Sequence, residues 1–130
     1  MTSIIRIALA DDHHIFRTAL AEWLNQHGFT VTVSACDGQD LINQVKVSEM
    51  LPNICLTDIE MPVMNGYDTV LHLRKFYPSI LVVAHTSFLS EAIRLHMLQA
   101  GAEAVVEKHD NPQKLKKTLL ELLEKRSLPL

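Results

Sequence analysis

With 130 residues, 48% hydrophobic and 21% charged, the chain has the make-up of one globular domain that buries its core without disulfides. A net charge of −3 gives no basic surface on which nucleic acid or an anionic membrane would condense. The charge is uneven: residues 1–106 carry 6 basic and 11 acidic side chains, net −5, whereas residues 107–130 carry 6 and 4, net +2.

In chain order, the apolar run at 4–10 is expected as a first strand. It is too short to span a membrane and has no small-residue cleavage site after it, so a cytoplasmic location is expected. A helix follows, with Ile15, Ala19 and Trp23 on one stripe and Phe16, Leu20 and Leu24 beside it, the spacing of a core-facing surface. Gly28 suits the position just past its end. Residues 30–35 are β-rich, and Asp37 is placed to cap a helix reaching Val47. A short strand over 53–57 and a helix over 66–77, stopped by Pro78, come next.

The uninterrupted apolar run 80–84 is what a strand buried on both faces requires. Ser90 is a candidate cap for a helix ending at Ala100-Gly101, and 102–107 form the last strand. Asn111-Pro112 opens a final helix to about residue 126, because proline fits the first helical turn. Residues 127–130 are expected as a tail or the start of a linker. Five strands alternating with five helices predict a parallel α/β sheet covered on both faces.

Cys36 and Cys55 lack metal-site spacing and are expected as buried, reduced thiols. Adjacent His13 and His14 would point about 100° apart on a helix, unlike an i, i+4 ligand pair, and zinc is not expected. His27, His72, His96 and His109 are expected at the surface or its boundary. His85 should point away from the side on which its neighbour Thr86 faces. Lys114, Lys116 and Lys117 read as a solvated helix face, since Glu121 and Glu124 follow them.

In such sheets ligands bind at the carboxyl ends of strands. Asp11, Asp12, Asp58 and Thr86 all fall there, and Lys108 follows the fifth strand. Clustered carboxylates repel unless one protonates or a cation binds. Oxygen-only donors favour a hard ion such as Mg2+. A carboxylate also serves as a nucleophile for an aspartyl phosphate. Phosphoryl transfer needs mainly positioning and neutralisation of the equatorial oxygens, for which a cation, the Lys108 ammonium and the Thr86 hydroxyl are sufficient.

Four segments, LADD at 9–12, LTDIEMPVMNG at 56–66, VVAHTS at 82–87 and GAEAVVEKHD at 101–110, together resemble the receiver domain of bacterial two-component response regulators. The resemblance spans about residues 4–126. It implies a flavodoxin-like doubly wound sheet in the order 2-1-3-4-5, with five helices. It implies Asp58 as phosphoacceptor, and Asp12, Asp11 and the Glu60 backbone carbonyl as Mg2+ ligands beside Asp58. Thr86 resembles the switch hydroxyl and Lys108 the lysine that pairs with the phosphoryl group.

The implied activity is a switch rather than an enzyme, taking its phosphoryl group from a histidine kinase or phosphotransfer protein. The surface formed by helix four, strand five and helix five would then control an output or a homodimer. Transcription, through a helix-turn-helix DNA-binding domain outside this chain, is the output expected.

The chain departs from the family's pattern at three places. His109 replaces the proline often found after the lysine, so a trans Lys108–His109 bond is expected, because a cis bond there would cost about 2.5–4 kcal/mol. Val105 has no ring to swing inward, which leaves switching to the Thr86–Phe88 segment and helix four. Glu60 and Phe88 flank the phosphorylation site; Phe88 is expected to shield an acyl phosphate from water, and Glu60 to pair with Lys108. Two other readings remain open at this stage. One is an aspartate-nucleophile phosphatase of the haloacid-dehalogenase type, although its DxDx[TV] pattern is absent from the first strand. The other is a degenerate receiver used only for docking or dimerisation.

Overall fold

The computed structural model describes residues 4–127. Five strands, β1 (Arg6–Ala10), β2 (Thr30–Ala35), β3 (Ile54–Asp58), β4 (Leu81–Thr86) and β5 (Ala104–Glu107), alternate with five helices. The helices are α1 (His14–Gln26), α2 (Gly38–Lys46), α3 (Gly66–Phe76), α4 (Glu91–Ala100) and α5 (Pro112–Ser127). Every strand pair is parallel and the order is β2-β1-β3-β4-β5. Ser127 thus closes α5 rather than opening a tail, and the rest of the expected tail lies outside the described residues.

Alternation along the strands separates two cores. Ala8, Ala10, Val82 and Ala84 face Leu41, Ile42 and Val45 of α2, Val70 and Leu73 of α3, and Met97 of α4. Ile7, Leu9, Leu56 and Val83 face Leu24 of α1 and Leu115 and Leu119 of α5. β4 is buried along its whole length, as its unbroken apolar run requires. Among the described residues no helix is long and apolar enough to cross a membrane.

The caps follow the local chemistry. Asp37 accepts from the Asp40 N–H at 2.8 Å, Ser90 from Ile93 at 3.2 Å, and Asn111 from Gln113 at 2.9 Å. Gly28 and Gly101 follow α1 and α4 at φ +98° and +118°, where a side chain would be strained.

Two expectations are corrected. Ile15 and Ala19 are exposed, and only Leu24 of the two α1 stripes is fully buried. The first turns of α1 turn Phe16 and Leu20 toward the sheet, Phe16 against His85 of β4, and leave Ile15 and Ala19 on the neighbouring outer side. Cys36 is also exposed, because the alternation that buries Val33 and Ala35 turns the next position outward, while Cys55 is buried in β3, where every residue is buried. Burial pushes the Cys55 thiol up to about 12.

Candidate functional site

The sheet reverses its build direction at β1, which pairs with both β2 and β3. Crevices outside the carboxyl ends of strands open at such switch points. Asp11 and Asp12 follow β1 and Asp58 ends β3, so three carboxylates converge there. A cavity of about 660 Å³ lies over them, lined among others by Asp12, Asp58, Glu60, Thr86 and Phe88.

Asp58 is buried and its Oδ1 accepts the Ile59 N–H at 2.8 Å. The loop beneath is tightly built: Gly66 N–H donates to the Ile59 carbonyl at 2.7 Å, and Gly38 N–H donates to the Met64 carbonyl at 3.1 Å. Val63, at φ +65°, sits in a left-handed turn closed by Met64 N–H and the Pro62 carbonyl at 2.8 Å.

Lys108 reaches into the cluster. Its Nζ lies 2.6 Å from Asp11 Oδ2 and 3.1 Å from Asp58 Oδ2, with the side chain only 3% exposed. The ammonium also stands 4.9 Å from the centre of the Phe16 ring. The expected Glu60–Lys108 pair is not formed. Glu60 is exposed, whereas a buried ammonium requires partners that are buried with it. The Lys108 N–H donates to the Thr86 carbonyl at 2.7 Å, tying the ends of β4 and β5 together. No cis peptide occurs among the described residues, so Lys108–His109 is trans as expected.

Asp11 and Asp58 face one buried ammonium and Asp12 stands beside them, so three carboxylates share a single lysine. Burial pushes the Asp58 carboxyl above the usual carboxylate range, Lys108 pulls it back only in part, and Asp11 adds to the rise. A surplus of carboxylates over lysine and an oxygen donor set fit a divalent cation. Asp11, Asp12, Asp58 and, unexpectedly, His13 present ligand atoms that all lie within 4.8 Å of one another. Helical spacing does not reveal His13, because an Asx turn brings it back: its N–H donates to Asp11 Oδ1 at 2.9 Å.

Thr86 is at the cavity wall, with its hydroxyl held by the Phe88 backbone. It donates to the Phe88 carbonyl and accepts the Phe88 N–H, both at 3.2 Å. Phe88 is exposed at the cavity rim near Ile93.

His85 is absent from the lining of this cavity, as alternation with Thr86 predicts. It is buried on the α1 side, 5.7 Å from Phe16 between ring centres. Burial first, and Lys108 second, push the imidazole down to about 4. Its folded value lies below the unfolded one, so it contributes stability above the ordinary imidazole range that is lost on acidification. Between pH 7 and pH 5 that loss amounts to about 2 kcal/mol. His85→Leu is expected to remove this part of the pH dependence, as read from urea denaturation at the two pH values.

The comparisons agree with this architecture. The family model described as response regulator receiver domain matches residues 7–120. The chain is similar to the chemotaxis protein CheY of Thermotoga maritima, with 26% identity over 114 residues, 88% of this chain and 93% of that protein. It is also similar to the uncharacterized transcriptional regulatory protein YhcZ of Bacillus subtilis, 30% identical over 115 residues, 88% of this chain and 53% of that protein. Among solved structures, a CheY-like response regulator receiver domain protein from Methanospirillum hungatei superposes with a TM-score of 0.84 at 25% identity, over 95% of this chain and 96% of that one. Of seven further curated relatives, the chain spans only 29% to 53% of the length.

Proposed function

Because this chain belongs to the response regulator receiver domain family, a family of phosphoacceptor signalling domains, we propose that Asp58 is its phosphoacceptor and residues 1–126 its switching unit. The observation that carries the reading is the buried Asp58 carboxylate on the floor of an open cavity, 3.1 Å from an equally buried ammonium. An Asp58 oxygen attacks the phosphorus of a phosphohistidine in a kinase or phosphotransfer protein. The P–N bond breaks as the P–O bond forms, and the imidazole nitrogen leaves with the electron pair.

Lys108 is placed to follow the developing charge, since its ammonium already touches the Asp58 carboxylate. Asp12, Asp58 and the Glu60 carbonyl, with Asp11 directly or through water, would hold Mg2+, which supplies neutralisation of the phosphoryl oxygens. Thr86 has to leave the Phe88 backbone to reach a phosphoryl oxygen. That exchange frees two hydrogen bonds of the segment leading into α4, and it links phosphorylation to the surface formed by α4, β5 and α5. With valine at 105, no ring movement is needed for the link.

The output would be a change of partner or a homodimer at that surface, in the cytoplasm. Transcription through a DNA-binding domain outside this chain is the favoured case, supported by the similarity to a transcriptional regulatory protein of which this chain spans about half. Incubation with a small phosphodonor and Mg2+, followed by intact mass, should show one phosphoryl adduct per chain and no turnover of an unrelated phosphate ester. Repeated ester turnover would instead favour a phosphatase, and absence of both a degenerate receiver.

Phe88 and Glu60 set how long the adduct lasts. In-line attack needs a water about 3–3.5 Å from phosphorus, and a bulky side chain at the rim excludes that position. Replacing both residues with serine is expected to speed hydrolysis of the adduct about tenfold, measured by loss of label.

A further inference from the structure

The donor cluster contains one group that a phosphoacceptor site built of carboxylates does not need. The His13 Nδ1 lies 3.2 Å from Asp11 Oδ1 and 3.3 Å from Asp12 Oδ1. The backbone turn that caps α1 fixes this placement, because the same Asp11 oxygen also holds the His13 N–H. Among the described residues no aromatic ring stacks on His13, and its Nδ1 lies against the two carboxylates. Two-thirds of the side chain is exposed, so the imidazole is free to settle against an ion without disturbing the core.

We infer that His13 is a direct nitrogen ligand for divalent ions that accept imidazole, which makes this a mixed nitrogen and oxygen site able to hold Mn2+ more firmly than its carboxylates alone would. The inference rests on the metal-assisted phosphoacceptor reading above and concerns the choice of ion. Ligands on opposite sides of an ion with bonds of about 2.0–2.2 Å stand slightly over 4 Å apart. The four donor atoms already fall within 4.8 Å of one another, so small side-chain rotations bring them to one centre. Mg2+ keeps oxygen ligands and several waters, and would leave the ring out. First-row transition ions bind nitrogen donors more strongly, so the imidazole adds affinity for them selectively.

Isothermal titration of the full chain with Mg2+ and with Mn2+, at about pH 8 where an ordinary imidazole is neutral, reads the effect directly. His13→Ala is expected to weaken Mn2+ binding about tenfold and to leave Mg2+ binding within about twofold. Pulsed electron paramagnetic resonance of bound Mn2+ should show a nitrogen coupling in the natural protein and in His14→Ala, and none in His13→Ala. An equal loss for both ions would show that His13 merely positions Asp11 and Asp12, and would overturn the inference. So would a natural protein whose bound Mn2+ shows no nitrogen coupling. In either case Mg2+ binding and phosphorylation would stand. Failure of both ions to bind would overturn the metal-assisted reading together with this one.

Discussion

Asp58→Asn is expected to abolish the phosphoryl adduct completely and, at the same time, to make the protein more stable. The first effect follows from chemistry: a carboxamide oxygen is a poor nucleophile and leaves no anionic acyl oxygen to bond phosphorus. The second follows from electrostatics. Asp58 sits in a place where burial and Asp11 both disfavour its charge, and Lys108 compensates only in part. A carboxyl whose folded value is raised favours folding below the unfolded carboxylate range, and that advantage is lost as pH rises through the folded value.

Asparagine keeps the shape and the Ile59 hydrogen bond but carries no charge, while Lys108 retains Asp11 at 2.6 Å. The gain at pH 7 is expected on the order of 1 kcal/mol, or about 3–6 °C in Tm. It should shrink toward zero as pH is lowered below about 4, where both proteins carry a neutral group. Mass spectrometry after phosphodonor treatment and thermal unfolding at pH 7 and pH 4 check the two halves separately. A variant that loses the adduct but is destabilised would mean that Asp58 supports the fold, contrary to its surroundings.

The strand ends that carry this chemistry were legible because strands and helices have different periods. The apolar runs of β1, β3 and β4 place Asp11, Asp12, Asp58 and Thr86 on one edge, and parity turns His85 away from Thr86. What escaped depends on relations that period does not encode. The stripe Ile15, Ala19, Trp23 has the spacing of a buried face, but spacing does not say which of two adjacent stripes meets the sheet, and Phe16, Leu20 and Leu24 are the ones that do. His13 joins the carboxylates through a turn two residues long, not through a helical repeat. Lys108 was recognised, yet its partners were set by burial: of the acids in reach, only Asp11 and Asp58 are as dry as its ammonium. Cys36 is a different case: free thiols are commonly buried, but the period of two that buries Val33 and Ala35 turns position 36 outward.

Gly66→Ala tests the frame that holds the site. Gly66 opens α3 with its Cα pressed against the end of β3, and a Cβ there would stand 2.7 Å from Ile59 Cα and closer still to the Asp58 carbonyl oxygen. Both are backbone atoms, so relief requires α3 and β3 to separate, breaking the 2.7 Å bond from Gly66 N–H to the Ile59 carbonyl. The cost is expected at about 3 kcal/mol, at the upper end for overpacking because no side chain is available to move aside. Tm should fall by on the order of 10 °C.

Gly28→Ala supplies the contrast: space around its Cβ is open, and only the φ of +98° opposes the substitution, at about 1 kcal/mol. Because Gly66 leans on Asp58 itself, its variant should also slow adduct formation by at least tenfold at temperatures where it is still folded, since misplacement of a nucleophile by about 1 Å costs up to a hundredfold. Gly28→Ala, at the far end of α1, should phosphorylate at the natural rate. Equal rates in the two variants would mean that the β3–α3 junction does not position the nucleophile.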